Sequence, residues 1–235
     1  MSGWKAKRFW KAAATESCEG GFTVRLDGRP VKTPAKTLLV VPTQAMAEAI
    51  SAEWDAQQGI IRPDTMPITR FANSAIDKVG PLFDAVVDEV AGFGGSDLLC
   101  YRAESPMELV ARQATDWDPL LDWINETGAA HLKVTAGVIP IEQPAESLDR
   151  LRTLVAGEDP FRLTALHDLV AITGSLVLGL AVARGRLNAD LAFQISRIDE
   201  HWQAELWGAD EEAAEIEALK RKAIGEAERF YKLCG

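Results

Sequence analysis

Few residues in this chain have the types and spacing that chemistry requires. The densest group is Asp199-Glu200-His201, two carboxylates beside one of only three histidines. A second pairing is His167-Asp168, and Asp116 and Asp118 form a third acidic pair. Adjacent residues on a helix point in different directions, so none of these sets converges on a reacting atom by spacing alone. Gly92-Phe93-Gly94-Gly95 is rich in glycine but follows a helical pattern rather than a strand, so it reads as a helix-ending turn, not a phosphate cradle. The pattern G-x-x-x-x-G-K-S/T is absent, as is a G-x-S-x-G elbow; Gly174-Ser175 lies inside an apolar stretch. Cys18, Cys100 and Cys234 are scattered, without a C-x-x-C pair or a nearby histidine. That excludes a disulfide framework and a structural zinc site. No catalytic residue, metal site or cofactor is expected.

The segment 188–207 is more informative. Read as one helix, it carries Leu191, Ile195, Ile198, Trp202 and Leu206 as a continuous apolar stripe facing the core. A second row runs Phe193, Ser196, Glu200, Gln203 and Trp207. Aromatics at both ends of a polar centre, off the main stripe, suit a partner-binding face. Phe193, Glu200, Gln203 and Trp207 are therefore the candidate binding residues. A helix sandwiched between two neighbours would give the same pattern.

Positioning such a helix takes a larger frame. Phe22, Val24 and Leu26 alternate, Asp27-Gly28 marks a hairpin turn, Pro30 and Pro34 place the returning strand at an edge, and residues 37–41 form a third strand. From residue 43 the period becomes helical, with Met46, Ile50 and Trp54 on one face. Further helices are expected over 69–79, 82–93, 106–126, 146–155, 161–183, 188–207 and 210–233. The fold class is α+β: a small N-terminal antiparallel β domain with one helix (1–66), followed by a larger multi-helical domain (67–235).

The 235 residues carry a formal charge of −10, are 47% hydrophobic and have a mean hydropathy of −0.04. This excludes a largely disordered chain and a polytopic membrane protein. The longest uncharged stretch, 169–183, is too short to cross a bilayer. Residues 1–40 have a net charge of +5 and the remainder −15. An acidic whole with a basic start gives no footprint for nucleic acid. Seven tryptophans against two tyrosines is the one compositional oddity.

Several runs occur in a fixed order: RFWK (8–11), LDGRPVKTP (26–34), EWDAQ (53–57), PDTMPITRFANSAID (63–77), DLLCYRA (97–103), WDPLLDW (117–123), DEHWQ (199–203) and Trp207-Gly208. Together they resemble the ATP-twelve family of assembly chaperones for the F1 sector of ATP synthase, over about residues 8–232. The resemblance implies a non-enzymatic protein that binds the free F1 α subunit and prevents its aggregation until it pairs with β. It implies a small β domain joined to a helical one, and marks Glu200, within DEHWQ, as a candidate site. The short basic start lacks the length of a mitochondrial presequence. The expectation is thus a cytoplasmic bacterial member acting as a monomer, its presequence-bearing relatives belonging to the mitochondrial matrix. The rival is a small-molecule hydrolase or transferase using Asp199, Glu200 and His201, or Asp116 and Asp118, which would require a polar pocket where they meet.

Overall fold

The structure is a computed structural model that describes residues 7–137, 139–208 and 210–235. The chain forms two compact units. The first runs to Phe83 and takes in two later pieces, Pro160–Thr164 and Arg229–Gly235; the second comprises Asp84–Asp159 and Ala165–Glu228. Residues 67–83, assigned to the helical part in the sequence division, belong to the first unit.

In the first unit, β1 (Ala13–Cys18), β2 (Gly21–Leu26), β3 (Arg29–Pro30) and β4 (Val40–Val41) form an antiparallel sheet in which β2 pairs with all three others. Asp27 and Gly28 both have positive φ, 47° and 81°, as a tight turn compatible with strand twist requires. The Asp27 carboxylate accepts from the backbone N–H of Lys11 and of Ala12, both at 3.0 Å, and these donors hold its pKa below the usual value. Helix α1 (Gln44–Asp55) starts at Thr43, whose hydroxyl accepts from Met46 N, and it buries Met46 and Ile50 completely. Trp54 sits edge-on to the buried Trp10 at 5.1 Å, with part of its surface open. Glu53 caps α2 (Pro67–Ser74) by accepting from the N–H groups of Ile68 and Thr69 and from the Thr69 hydroxyl.

The role of Arg8 in the run 8–11 is local. The Arg8 guanidinium donates to the carbonyls of Trp10, Lys11, Asp55 and Gln57, tying the chain start to the end of α1. The C-terminal segment completes this unit. Phe230 is fully buried and stacks on Phe71 at 5.0 Å, and the Thr43 hydroxyl donates to the Leu233 carbonyl at 2.5 Å.

The second unit is helical: α3 (Phe83–Gly92), α4 (Met107–Gly128), α5 (Ala145–Ala156), most of α6 (Pro160–Thr173), α7 (Leu176–Ala183), α8 (Ala189–Ser196), α9 (Ile198–Trp207) and most of α10 (Glu211–Leu233). Two short strands, β5 (Tyr101–Arg102) and β6 (Thr135–Ala136), pair in parallel. Two expected long helices are broken. The one over 161–183 stops at Gly174, where φ is 70°, and restarts as α7 with Ser175 as its cap. The one over 188–207 breaks at Arg197, with φ −111° and ψ 18°. There the Ile195 carbonyl accepts from the buried Trp117 indole N–H at 3.0 Å. Among the described residues no helix is long and apolar enough to cross a membrane.

Candidate functional site

The break at Arg197 resets the phase of the apolar pattern. Upstream, α8 buries Ala189, Ala192, Phe193, Ile195 and Ser196; downstream, α9 buries only Ile198. Leu191 and Leu206, expected in the core, are exposed. Phe193, expected on the binding face, is only 1% exposed and is a core residue of α8. The structure therefore removes it from any surface shared with Glu200, Gln203 and Trp207.

Those three remain exposed on α9. Gln203 and Trp207 line a groove of about 390 Å³ whose other walls are Ala103, Ser105, Pro106, Leu109, Asp199, Trp202 and Leu206. Trp207 is 78% exposed at its end, and Met107, next to Pro106, is also open to solvent. Glu200 is not among the lining residues. It lies about half exposed on the same helix, with one carboxylate oxygen 2.6 Å from Arg197 Nη1.

The groove is held open by a buried amide. Gln113, on α4, has no exposed surface. Its Nε2 donates to Asp199 Oδ1 at 2.6 Å, and its Oε1 accepts from Ala103 N at 2.8 Å. One side chain thus fixes the α9 wall and the β5 wall at once. Arg112, one residue earlier, reaches Glu205 with both terminal nitrogens (2.9 and 3.2 Å) and lies 5.4 Å over the Trp202 ring. This bonding lowers the Glu205 pKa and raises that of Arg112. It also sets the guanidinium over Trp202, one of the residues that line the groove.

The chemistry-bearing triplet does not converge. Asp199 is engaged by Gln113 on α4, Glu200 by Arg197 at the break, and His201 by Glu217 of α10 at 2.9 Å. Asp118 pairs with Arg102 at 2.8 Å. The Cys100 thiol is buried, and desolvation with the nearby Asp97 charge pushes its pKa up to about 12, so it stays protonated. No cluster of three His, Cys, Asp or Glu side chains among the described residues could hold a metal ion. What the groove offers is apolar contact with a polar edge.

Sequence reasoning missed Pro106, Leu109 and Leu206 as parts of this surface. Only one signal pointed to Leu206: an apolar pair, Leu206-Trp207, ends a helix immediately before Gly208 and an acidic run, where little remains for it to pack on.

Residues 7–125 match the family model described as ATP12 chaperone protein. The crystal structure of Atp12 from Paracoccus denitrificans is 52% identical, covers 99% of this chain and 100% of its own, and superposes with a TM-score of 0.96. The chain belongs to the ATP12 chaperone family. A crystal structure from Agrobacterium tumefaciens is 41% identical, with a TM-score of 0.93 over 97% of this chain and 86% of its own. Protein atp12, mitochondrial, of Schizosaccharomyces pombe is 29% identical over 94% of this chain and 81% of its own length. The family model ends within α4, whereas the likeness to the Paracoccus Atp12 fold extends over the α9 wall of the groove as well.

Proposed function

We propose that this ATP12-family chain is an assembly chaperone for the F1 sector of ATP synthase, holding the free α subunit until it pairs with β. The full-length likeness to Paracoccus Atp12 supports this reading. An isolated ring subunit exposes an apolar interface that its neighbour normally covers, and such patches drive aggregation. A holding protein must shield the patch and still release it, which suits a small apolar groove with a polar rim rather than a deep pocket. In this reading Trp207 is the apolar anchor, Gln203 supplies hydrogen bonds at the rim, and Glu200 orients a basic group of the client. The protein acts without catalysis, in the bacterial cytoplasm, as a monomer.

The test is dilution of denatured F1 α subunit into buffer with and without the chain, followed by light scattering. Wild type should suppress scattering at stoichiometric amounts. Trp207→Ala should need roughly tenfold more protein for the same effect, as for loss of an interface aromatic anchor, with an unchanged melting temperature. Equal scattering with and without wild type would refute the reading. Equal protection by Trp207→Ala would take the groove out of it.

A further inference from the structure

Helix α10 carries one apolar stripe, Ile216, Leu219, Ala223, Ala227 and Phe230, continued by Cys234 just past its end, at successive steps of three and four residues. Its C-terminal half is core: Ala227 and Phe230 have no exposed surface and Cys234 is buried. Its N-terminal half lacks a cover among the described residues. Ile216 is 48% and Leu219 68% exposed, and across residues 211–222 only Glu217 is partly shielded. The same face thus runs on past the point where its packing ends.

Charge around the uncovered half has one dominant sign. Glu212 lies on the stripe one turn before Ile216, and Glu211 and Glu215 lie to one side of it. None of the three has a cation partner among the described residues. Farther along, Arg221 is taken up by Asp190 and Lys222 by Glu226, which leaves Lys220 as the basic group beside the face. Ordinary helix-dipole preference accounts for acids in the first turn, but not for two large aliphatic side chains left in water beyond them.

We propose that this face of α10 is a docking surface, separate from the groove, for an amphipathic segment of the client whose apolar side is flanked by Lys or Arg. Ile216 and Leu219 supply the apolar contact, and Glu211, Glu212 and Glu215 select the basic flank. A second copy of this chain fits less well. Antiparallel pairing of two such helices about Ile216 and Leu219 sets Glu211 opposite Ile224, which is buried, so the contact stops after about three turns. A net charge of −10 on each copy opposes it as well. The identity of the client rests on the function proposed above; the chemistry of the segment does not.

The probe is a fluorescently labelled amphipathic Leu/Lys peptide, with its Leu/Glu counterpart as control, titrated with the full chain and followed by anisotropy. Wild type should bind the Leu/Lys peptide at least tenfold more tightly than the control. Ile216→Gln/Leu219→Gln, which keeps every charge, should weaken that binding about tenfold, as for removal of interface anchors, without lowering the melting temperature. Trp207→Ala should leave it unchanged. The double variant should also protect F1 α subunit less well. Peptide binding by the double variant equal to wild type would overturn the proposal. So would a wild-type dimer in sedimentation that the double variant dissolves, or undiminished protection of α by that variant. If wild type fails to protect α while the peptide result holds, the proposed client falls and the docking face stands.

Discussion

Asp97 has no exposed surface, yet it holds a carboxylate against three donors: Leu99 N at 3.0 Å, the Ser175 hydroxyl at 2.7 Å and Val177 N at 3.0 Å. Two of them belong to the start of α7, so the side chain fastens the loop before β5 to a helix N-terminus. Burial raises its pKa despite these bonds. Asp97→Ala would leave buried donors without an acceptor, and urea denaturation should show a loss of about 3 kcal/mol or more. Glu200 is the opposite case. Its ion partner among the described residues, Arg197, keeps a quarter of its side chain exposed, and the Glu200 side chain is about half exposed. Glu200→Lys should cost only about 0–1 kcal/mol, the range for exposed ion pairs, and on the function proposed above it should weaken capture of the F1 α subunit. A large fall in melting temperature would instead make Glu200 a structural residue.

Among the elements, α6 and α7 approach so closely that a Cβ on Gly179 would lie 2.4 Å from Val170 Cγ2. Gly179→Ala should therefore destabilise by about 1–3 kcal/mol, the cost of overpacking, although alanine is the better helix former. Calorimetry would read it. His167 on α6 lies 3.0 Å from Asp168 and 3.7 Å from Glu89 of α3. The Asp168 bond, then the Glu89 charge, raises its pKa above the ordinary 6.5. A raised folded-state pKa gives stability that is full below 6.5 and fades as pH rises through the folded value. The melting-temperature gap between wild type and His167→Gln should thus be wider at acidic than at alkaline pH. Elements with local punctuation were legible from sequence. The Asp27-Gly28 turn and the Thr43 helix start each follow from one or two residues. β1 was not, because Ala13–Cys18 carries no apolar alternation and gains its place from pairing with β2. Nor was the break at Arg197, where no Gly or Pro interrupts the pattern and the Trp117 indole captures a carbonyl from 78 residues away. That break decided the site: Gln203 and Trp207 kept the expected exposure, and Phe193, on the other side of it, did not.

At the scale of the molecule, neither compact unit is one continuous stretch of chain. Residues 1–66, or even 1–83, lack Phe230, which the first unit buries against Phe71 and Phe161. A fragment 1–83 should be unfolded or molten by circular dichroism and amide dispersion, and truncation before residue 229 should lower the melting temperature of the whole chain. A stable, well-dispersed 1–83 fragment would show that the sheet and α1 suffice.

This late closure also sets an order of events on the ribosome. The sheet and α1 leave the exit tunnel early, but the residues that seal them, Phe230 and Leu233, are made much later. Some 145 residues are translated between Phe83 and Arg229, which at ~5–20 residues per second is about 7–30 s. Throughout that interval Phe71 and the floor of the first unit stand open to water. This member of the ATP12 chaperone family therefore passes through a stage in which a surface of its own waits for its cover.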